Sequence, residues 1–367
     1  MLDTRCMPRY KDTTPAGDAG STGVRELMRS AILVEPKRVE LRDVQTPQAP
    51  AGGLLVRVRA ALTDGTDLKA YRRGHPQMPM PTPFGHEFSG DVAAVSEGVT
   101  AFAPGDAVMC VHSAPCGRCF WCERGEEELC ESVMSTKILG AYAEYIEVPA
   151  HIVQRNCFRK PAELSYSVAA FLEPLSCIVH SLDFLNARAG STIVVMGDGG
   201  FGILHAALLQ KRGMRPILCG RHDERLAIAR QLGVECAVNV RDADGRAAAL
   251  DLTRGRGADA LVECTGQPEV WEASPAFVRR GGVVSFFGGL PASARVSFLA
   301  ARMHYDEVRL ISPFHFTPRA VRGAHEILAS GALDPRPLIT QTVRLDDIAS
   351  IFERLDNGEG IKFAIEP

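Results

Sequence analysis

The sequence predicts an α/β protein in two units, a β-rich first unit followed by a doubly wound parallel sheet. Short β-rich runs separated by Pro and Gly fill residues 31–150, and after residue 174 strands alternate with helical stretches. A glycine fingerprint, Gly197-Asp198-Gly199-Gly200-Phe201-Gly202, stands between the first strand and the first helix of that alternation. A length of 367 residues allows two or three domains, each able to bury its own core.

Composition bounds the function. The chain is 46% hydrophobic and 23% charged, with a formal net charge of -3, as in an ordinary globular protein. Lys and Arg are spread along the chain, which argues against a nucleic-acid partner. No apolar run approaches the roughly 20 residues needed to span a bilayer, and the N-terminus lacks the charged-then-apolar layout of a signal peptide. Cytoplasmic residence without a membrane partner is the expectation.

Taken in order, residues 1–29 mix Pro, Gly, Asp, Thr and Arg with no hydrophobic period and are expected to form a loose tail, folding starting near Ser30. Strands of the first unit are expected at 31–34, 54–61, 89–95, 107–111 and 142–148. The second unit reads as strand 193–196, helix 201–212, strand 216–219 and helix 224–232, continuing through 260–264, 270–279, 283–287 and 308–311. A helix at 319–330 leads into a β-rich tail ending at 362–365, which is expected to return to the first unit. The resulting limits are 30–177, 178–315 and 316–367.

Cys116, Cys119, Cys122 and Cys130 form a Cys-x2-Cys-x2-Cys-x7-Cys run in a polar lobe at about 112–131. Four thiolates brought together by one loop can close a tetrahedral zinc shell with no open position, a structural site. Disulfides are the competing reading, but a chain this long builds a core without staples. The other seven cysteines are scattered, mostly in apolar runs, and read as reduced core residues.

The fingerprint fits G-x-G-x-x-G in the setting that a dinucleotide needs. Gly197 permits the tight turn, Gly199 lets the backbone approach a pyrophosphate, and Gly202 allows close helix-to-strand packing. Gly200 and Phe201 belong to the same loop. An acid at the end of the second strand would bond a ribose 2′-hydroxyl, whereas an Arg accommodates a 2′-phosphate. Gly220 holds that place and Arg221 follows it, so NADP is favoured, with His222 or Arg225 assisting; NAD stays open because Asp223 is close by.

Three further segments carry groups that could meet at one metal: Asp64-Gly65-Thr66-Asp67-Leu68-Lys69, Gly85-His86-Glu87 and Glu173-Pro174-Leu175. Each has a bland reading as well. Asp64 could cap a turn, His86 could be a satisfied core histidine, and Glu173 could end a helix.

With these segments, His112-Ser113-Ala114-Pro115-Cys116, the fingerprint and Phe286-Phe287-Gly288-Gly289-Leu290-Pro291, the chain from about Ser30 onward resembles the zinc-containing medium-chain dehydrogenases, in particular the sorbitol and L-iditol 2-dehydrogenase-like group. The resemblance implies a GroES-like β-rich catalytic domain and a Rossmann dinucleotide-binding domain with a cleft between them. It implies two zinc ions per chain, one structural and one catalytic, the second held by Asp64, His86 and Glu173 with Glu87 as direct or water-mediated ligand. Asp64 stands where most relatives carry Cys, giving a harder shell that could also admit manganese or cobalt. Thr66 matches the relay hydroxyl, and Lys69 stands where many relatives have His. Thr265 and Gly288 join the expected cofactor site. The implied activity is oxidation of a secondary alcohol of a hydroxylated small molecule, a polyol, cyclitol or sugar derivative, with the metal as Lewis acid and hydride passing to the nicotinamide. A simple or aromatic alcohol is the alternative substrate, and an inactive NADP(H)-binding sensor or assembly protein the alternative of another class. A homodimer or homotetramer is implied, pairing through the outer strand of the nucleotide domain near 283–290.

Overall fold

The computed structural model describes residues 25–367. The first unit is built from β1 (Leu27–Glu35), β2 (Arg38–Gln45), β3 (Leu54–Leu62), β4 (Thr82–Pro83), β5 (Glu87–Val95), β6 (Ala107–Cys110), β7 (Tyr145–Val148) and β8 (Cys157–Arg159). Along β3 only Arg57 and Arg59 reach solvent, while Leu54, Val56, Val58 and Leu62 are buried, so this strand lies inside its sheet. β5 pairs with it antiparallel, from Leu54 opposite Val95 to Leu62 opposite Glu87. That register places the residues after β3 beside those before β5, which is where Asp64 and His86 stand.

The second unit contains β9 (Thr192–Met196), β10 (Arg215–Gly220), β11 (Cys236–Asn239), β12 (Ala258–Glu263), β13 (Val278–Phe286) and β14 (Arg309–Ile311). They form a six-stranded parallel sheet in the order β11-β10-β9-β12-β13-β14. Helices cover both faces, which explains why β9 and β12 read as apolar runs and not as alternations. The connections run outward in both directions from β9, so the crevice at the carboxyl ends of β9 and β12 is the switch point at which such sheets bind ligands.

The chain ends with β15 (Ile339–Arg344) and β16 (Lys362–Glu366). β16 pairs antiparallel to β3 through Ala364 opposite Leu62 and Ile365 opposite Ala61, extending the first unit's sheet to seven strands. This return carries Lys362 to the residues that follow β3.

Four expectations need correction. Leu27, Met28 and Arg29, assigned to the tail, are the first residues of β1, and Met28 is buried opposite Val44; the rest of the tail, 1–24, lies outside the described residues. The stretch Tyr166–Leu185 is long and apolar enough to cross a membrane, yet 83% of that window is buried inside the protein. Its apolarity is explained by helix Leu172–Leu185 being wrapped on several sides. The strand near 283–290 is not outermost, because β13 pairs with both β12 and β14, and β14 is the edge. The stretch 270–279 is not one element: helix Pro268–Ala273 gives way to a short turn of 3-10 helix, and β13 starts at Val278. β2, β11 and helix Gly245–Leu252 were not expected. β2 and β11 are edge strands with weak apolar alternation.

Candidate active site and metal centres

Asp64 caps the helix Gly65–Arg73. Its Oδ1 accepts the N–H of Thr66 at 2.6 Å and of Asp67 at 2.8 Å. Its Oδ2 lies 3.8 Å from His86 Nε2. The capping role and an inward-facing carboxylate therefore coexist, on different oxygens. His86 is held from behind by Asp67, whose Oδ1 is 3.0 Å from Nδ1. The Tyr142 hydroxyl donates to the other Asp67 oxygen. An ionised carboxylate only accepts, so in the neutral ring Nδ1 carries the proton and Nε2 presents its lone pair toward Asp64.

Asp64, Asp67, Glu87 and Glu173 are 6%, 0%, 0% and 3% exposed, and the one fully buried ammonium among them is Lys362. Burial pushes the Glu87 carboxyl well above its usual range, with Asp64 and Glu173 adding repulsion and Lys362 opposing. Burial opposes the charge of His86, but Asp67 and Asp64 outweigh it and hold the imidazolium well above its ordinary range. A cluster with this excess of buried negative charge and nitrogen and oxygen donors fits a divalent cation, which would offset the charge.

Asp64, His86 and Glu87 each offer a ligand atom within 4.8 Å of the others. Glu87, however, places Oε1 and Oε2 at 2.7 and 2.6 Å from Lys362 Nζ, which also donates to the Thr63 carbonyl at 2.8 Å. Glu173 is not within that group; its Oε1 lies 3.3 Å from His112 Nδ1 and 3.7 Å from Cys177 Sγ. His315, with Nε2 2.6 Å from Ser113 Oγ, stacks edge-on against His112 and completes this wall. Thr66 is half-buried beside Asp64. Lys69 Nζ reaches the Gly289 carbonyl at 3.4 Å, spanning from the first unit to the second, and burial pushes its ammonium below the ordinary range.

Asp67 and His112 stood in quoted motifs with no role assigned to them, and Tyr142, His315 and Lys362 were not singled out in the sequence. Asp67 had a signal, since it lies three residues after Asp64 on the same helix end. Lys362 had none, standing 275 residues from Glu87.

In the cysteine lobe, the four sulfurs lie within 4.8 Å of one another, with Cys119 to Cys122 at 3.5 Å and Cys116 to Cys122 at 4.0 Å. Zinc–sulfur bonds of about 2.3 Å in a tetrahedron put sulfurs about 3.8 Å apart, so the lobe fits zinc. All four are free thiols. Burial opposes ionisation of Cys130, but the N–H groups of Cys116 and Ser132 and the Ser132 hydroxyl bring it down to about 6, as suits a thiolate ligand.

The fingerprint links β9 to helix Gly200–Lys211, with Gly199 at its N-cap. Gly197 has φ 110°, and a Cβ on Gly202 would lie 1.8 Å from the Gly197 carbonyl oxygen, so both positions require glycine. Gly220 ends β10, followed by exposed Arg221 and half-buried His222. Arg225 instead donates to the carbonyls of Gly358 and Gly360 at 3.0 and 2.9 Å, which ties it to the C-terminal segment. Across the crevice, Glu263 organises the ends of β12 and β13. Its carboxylate accepts the N–H of Thr265 at 2.6 Å and its carbonyl the N–H of Gly288 at 2.8 Å.

Two family models match the chain. "Alcohol dehydrogenase GroES-like domain" covers residues 50–160 and "Zinc-binding dehydrogenase" covers 200–330. Sorbitol dehydrogenase of Bacillus subtilis is 29% identical over 90% of this chain and 94% of its own length. L-threonine 3-dehydrogenase of the same organism is 28% identical over 89% and 94%. A crystal structure described as a zinc-binding dehydrogenase from Sinorhizobium meliloti 1021 bound to NADP superposes with a TM-score of 0.84 at 28% identity, covering 94% of this chain and 100% of that one. A GroES-like unit joined to a Rossmann unit, with a buried acid–histidine cluster at their junction, defines a metal-dependent dehydrogenase. The chain belongs to the zinc-containing medium-chain dehydrogenases, with sorbitol dehydrogenases among its relatives.

Proposed function

We propose that the protein oxidises a secondary alcohol of a polyol, cyclitol or sugar derivative to the ketone, or runs the reverse, with NADP as favoured acceptor and NAD as the other. The observation that carries the reading is the set of buried carboxylates around His86 at the junction of the two units. Asp64, His86 and Glu173 would hold the catalytic zinc, and Glu87, kept in place by Lys362, would stand behind them. Bound there, the cation supplies Lewis-acid polarisation of a substrate hydroxyl.

The remaining work falls to the chain. Asp67 and Tyr142 fix the ring of His86 so that Nε2 faces inward. Oxidation of a carbinol releases a hydride to the dinucleotide and a proton that must be carried out of a buried site. Thr66 would take up that proton while giving up its own hydroxyl proton, and Lys69, whose ammonium burial holds below its ordinary range, would pass it toward solvent. Glu263 holds Thr265 and Gly288 as one wall of the cofactor crevice. The similarity to sorbitol dehydrogenase supports a hydroxylated substrate over an aromatic one.

The test is metal content per chain for wild type, Asp64→Ala and His86→Ala, with initial rates on polyols, cyclitols, an aromatic alcohol and L-threonine using NADP and NAD. Two metals in wild type, one in each variant, and polyol turnover lost with the second support the reading. One metal throughout, tight NADPH binding and no turnover would leave a dinucleotide-binding protein without dehydrogenase activity. Turnover confined to L-threonine or to the aromatic alcohol would displace the polyol assignment.

A further inference from the structure

The end of β10 carries no acid of its own, yet a carboxylate sits there. Asp198, the second residue of the fingerprint, is 7% exposed and turns its side chain across to β10. Its Oδ2 accepts the backbone N–H of Arg221 at 2.7 Å and that of His222 at 2.8 Å, and lies 3.0 Å from His222 Nδ1. Gly220 makes this approach feasible. A Cβ there would lie 2.5 Å from Asp198 Cβ and 2.6 Å from Oδ2, so residue 220 lacks a side chain because Asp198 fills the space.

We propose that Asp198 is a positioning residue that sets the dinucleotide preference by fixing the Arg221–His222 segment against the adenosine 2′-phosphate. The inference rests on the NADP reading above. Two consecutive N–H groups and one ring nitrogen converge on a single carboxylate oxygen, so the peptide from Gly220 to His222 has one arrangement. With Nδ1 turned inward, His222 presents Nε2 outward. Arg221 is exposed and makes no ion pair with the described residues, so its guanidinium is free for a ligand. Arg225, by contrast, is engaged by Gly358 and Gly360. The groups left for a phosphate at this corner are thus the Arg221 guanidinium and the His222 ring, and both hang from Asp198. A segment held in its bound arrangement before the ligand arrives loses less ordering entropy on binding. The charge of Asp198 is offset locally by the three donors it accepts from.

Dissociation constants of the metal-loaded full chain for NADPH and NADH, from nicotinamide fluorescence, with 2′,5′-ADP and 5′-AMP as competitors, test this. Asp198→Ala is expected to weaken NADPH and 2′,5′-ADP by about tenfold, the equivalent of 1.4 kcal/mol, while NADH and 5′-AMP change by less than about threefold. Asp198→Asn keeps an oxygen that accepts both backbone N–H groups, so it is expected to recover most of the loss, and its unchanged NADH binding controls for folding. Arg221→Ala separates this inference from the reading beneath it. If Arg221→Ala loses NADPH selectively but Asp198→Ala leaves the NADPH to NADH ratio unchanged, the role of Asp198 is overturned and the NADP reading stands. If Asp198→Ala tightens NADPH and weakens NADH, Asp198 is a ribose-binding acid and the proposal is reversed. If neither Arg221→Ala nor His222→Ala moves the ratio, the NADP reading itself fails and takes the proposal with it.

Discussion

Lys362→Met removes the ammonium that both oxygens of Glu87 contact at 2.6 and 2.7 Å, in a pair whose side chains are 4% and 0% exposed. Taking away one partner of a buried pair leaves an uncompensated charge, at a cost of about 3–5 kcal/mol. At about 3 kcal/mol, and at roughly 2–4 °C per kcal/mol for a unit of about 200 residues, the melting point of the first unit should fall by roughly 6–12 °C. The assay is calorimetry on chelated protein, since a bound cation would offset the missing charge. The sign of the pH dependence follows from Glu87. Burial already raises its pKa, Lys362 opposes that, and the variant raises it further. A carboxyl with a raised folded pKa contributes fully below its unfolded value and loses that contribution as pH rises through the folded one. The deficit of the variant should therefore vanish in acid and widen as pH rises. The double variant Lys362→Met/Glu87→Gln carries no buried charge at this point and should regain at least half of the loss. A deficit under about 1 kcal/mol, or a double variant no better than the sum of the two single ones, would refute charge compensation as the role of Lys362.

Four other outcomes are expected. Asp67→Asn should weaken catalytic-site metal affinity by about 10–100-fold, because it disturbs the partner that orients His86, and chelator competition measures it. The His86 imidazolium, raised in the metal-free protein by Asp67 and Asp64 against burial, must lose a proton before Nε2 binds a cation; cobalt affinity should rise about tenfold per pH unit below that raised pKa, while metal-free stability falls as pH climbs through it. A flat affinity profile from pH 6 to 8 would contradict this. Gly202→Ala, whose Cβ would meet the Gly197 oxygen at 1.8 Å, should abolish NADPH binding and lower stability by at least about 2 kcal/mol, and Cys130→Ser should remove one metal equivalent and expose the lobe at 112–131 to proteolysis.

Much of the site was legible because its parts are local. The four cysteines lie within 15 residues of one another, and the fingerprint occupies a single strand-to-helix turn, so spacing alone points to a thiolate shell and a phosphate cradle. Asp64 was legible as either cap or ligand, and only the coordinates show that its two oxygens divide those tasks. Arg225 illustrates the opposite case. Its position near the ribose end of β10 suggested the cofactor, but the C-terminal segment occupies its guanidinium, and nothing near residue 225 announces a partner at 358–360.

What the sequence determined by itself is the class of the protein: a β-rich unit, a parallel nucleotide-binding sheet, a four-thiolate lobe and the segments carrying Asp64, His86 and Glu173. Each of these is written in side-chain period, glycine placement or ligand spacing over short distances. The tertiary structure decided which charges compensate which. The pairing of β16 with β3 brings Lys362 to Glu87, and the missing side chain at Gly220 admits Asp198 to the end of β10. Both are contacts between segments far apart in the chain, and a buried charge or a filled space takes its partner from whatever the packed fold brings nearest, which local spacing does not encode.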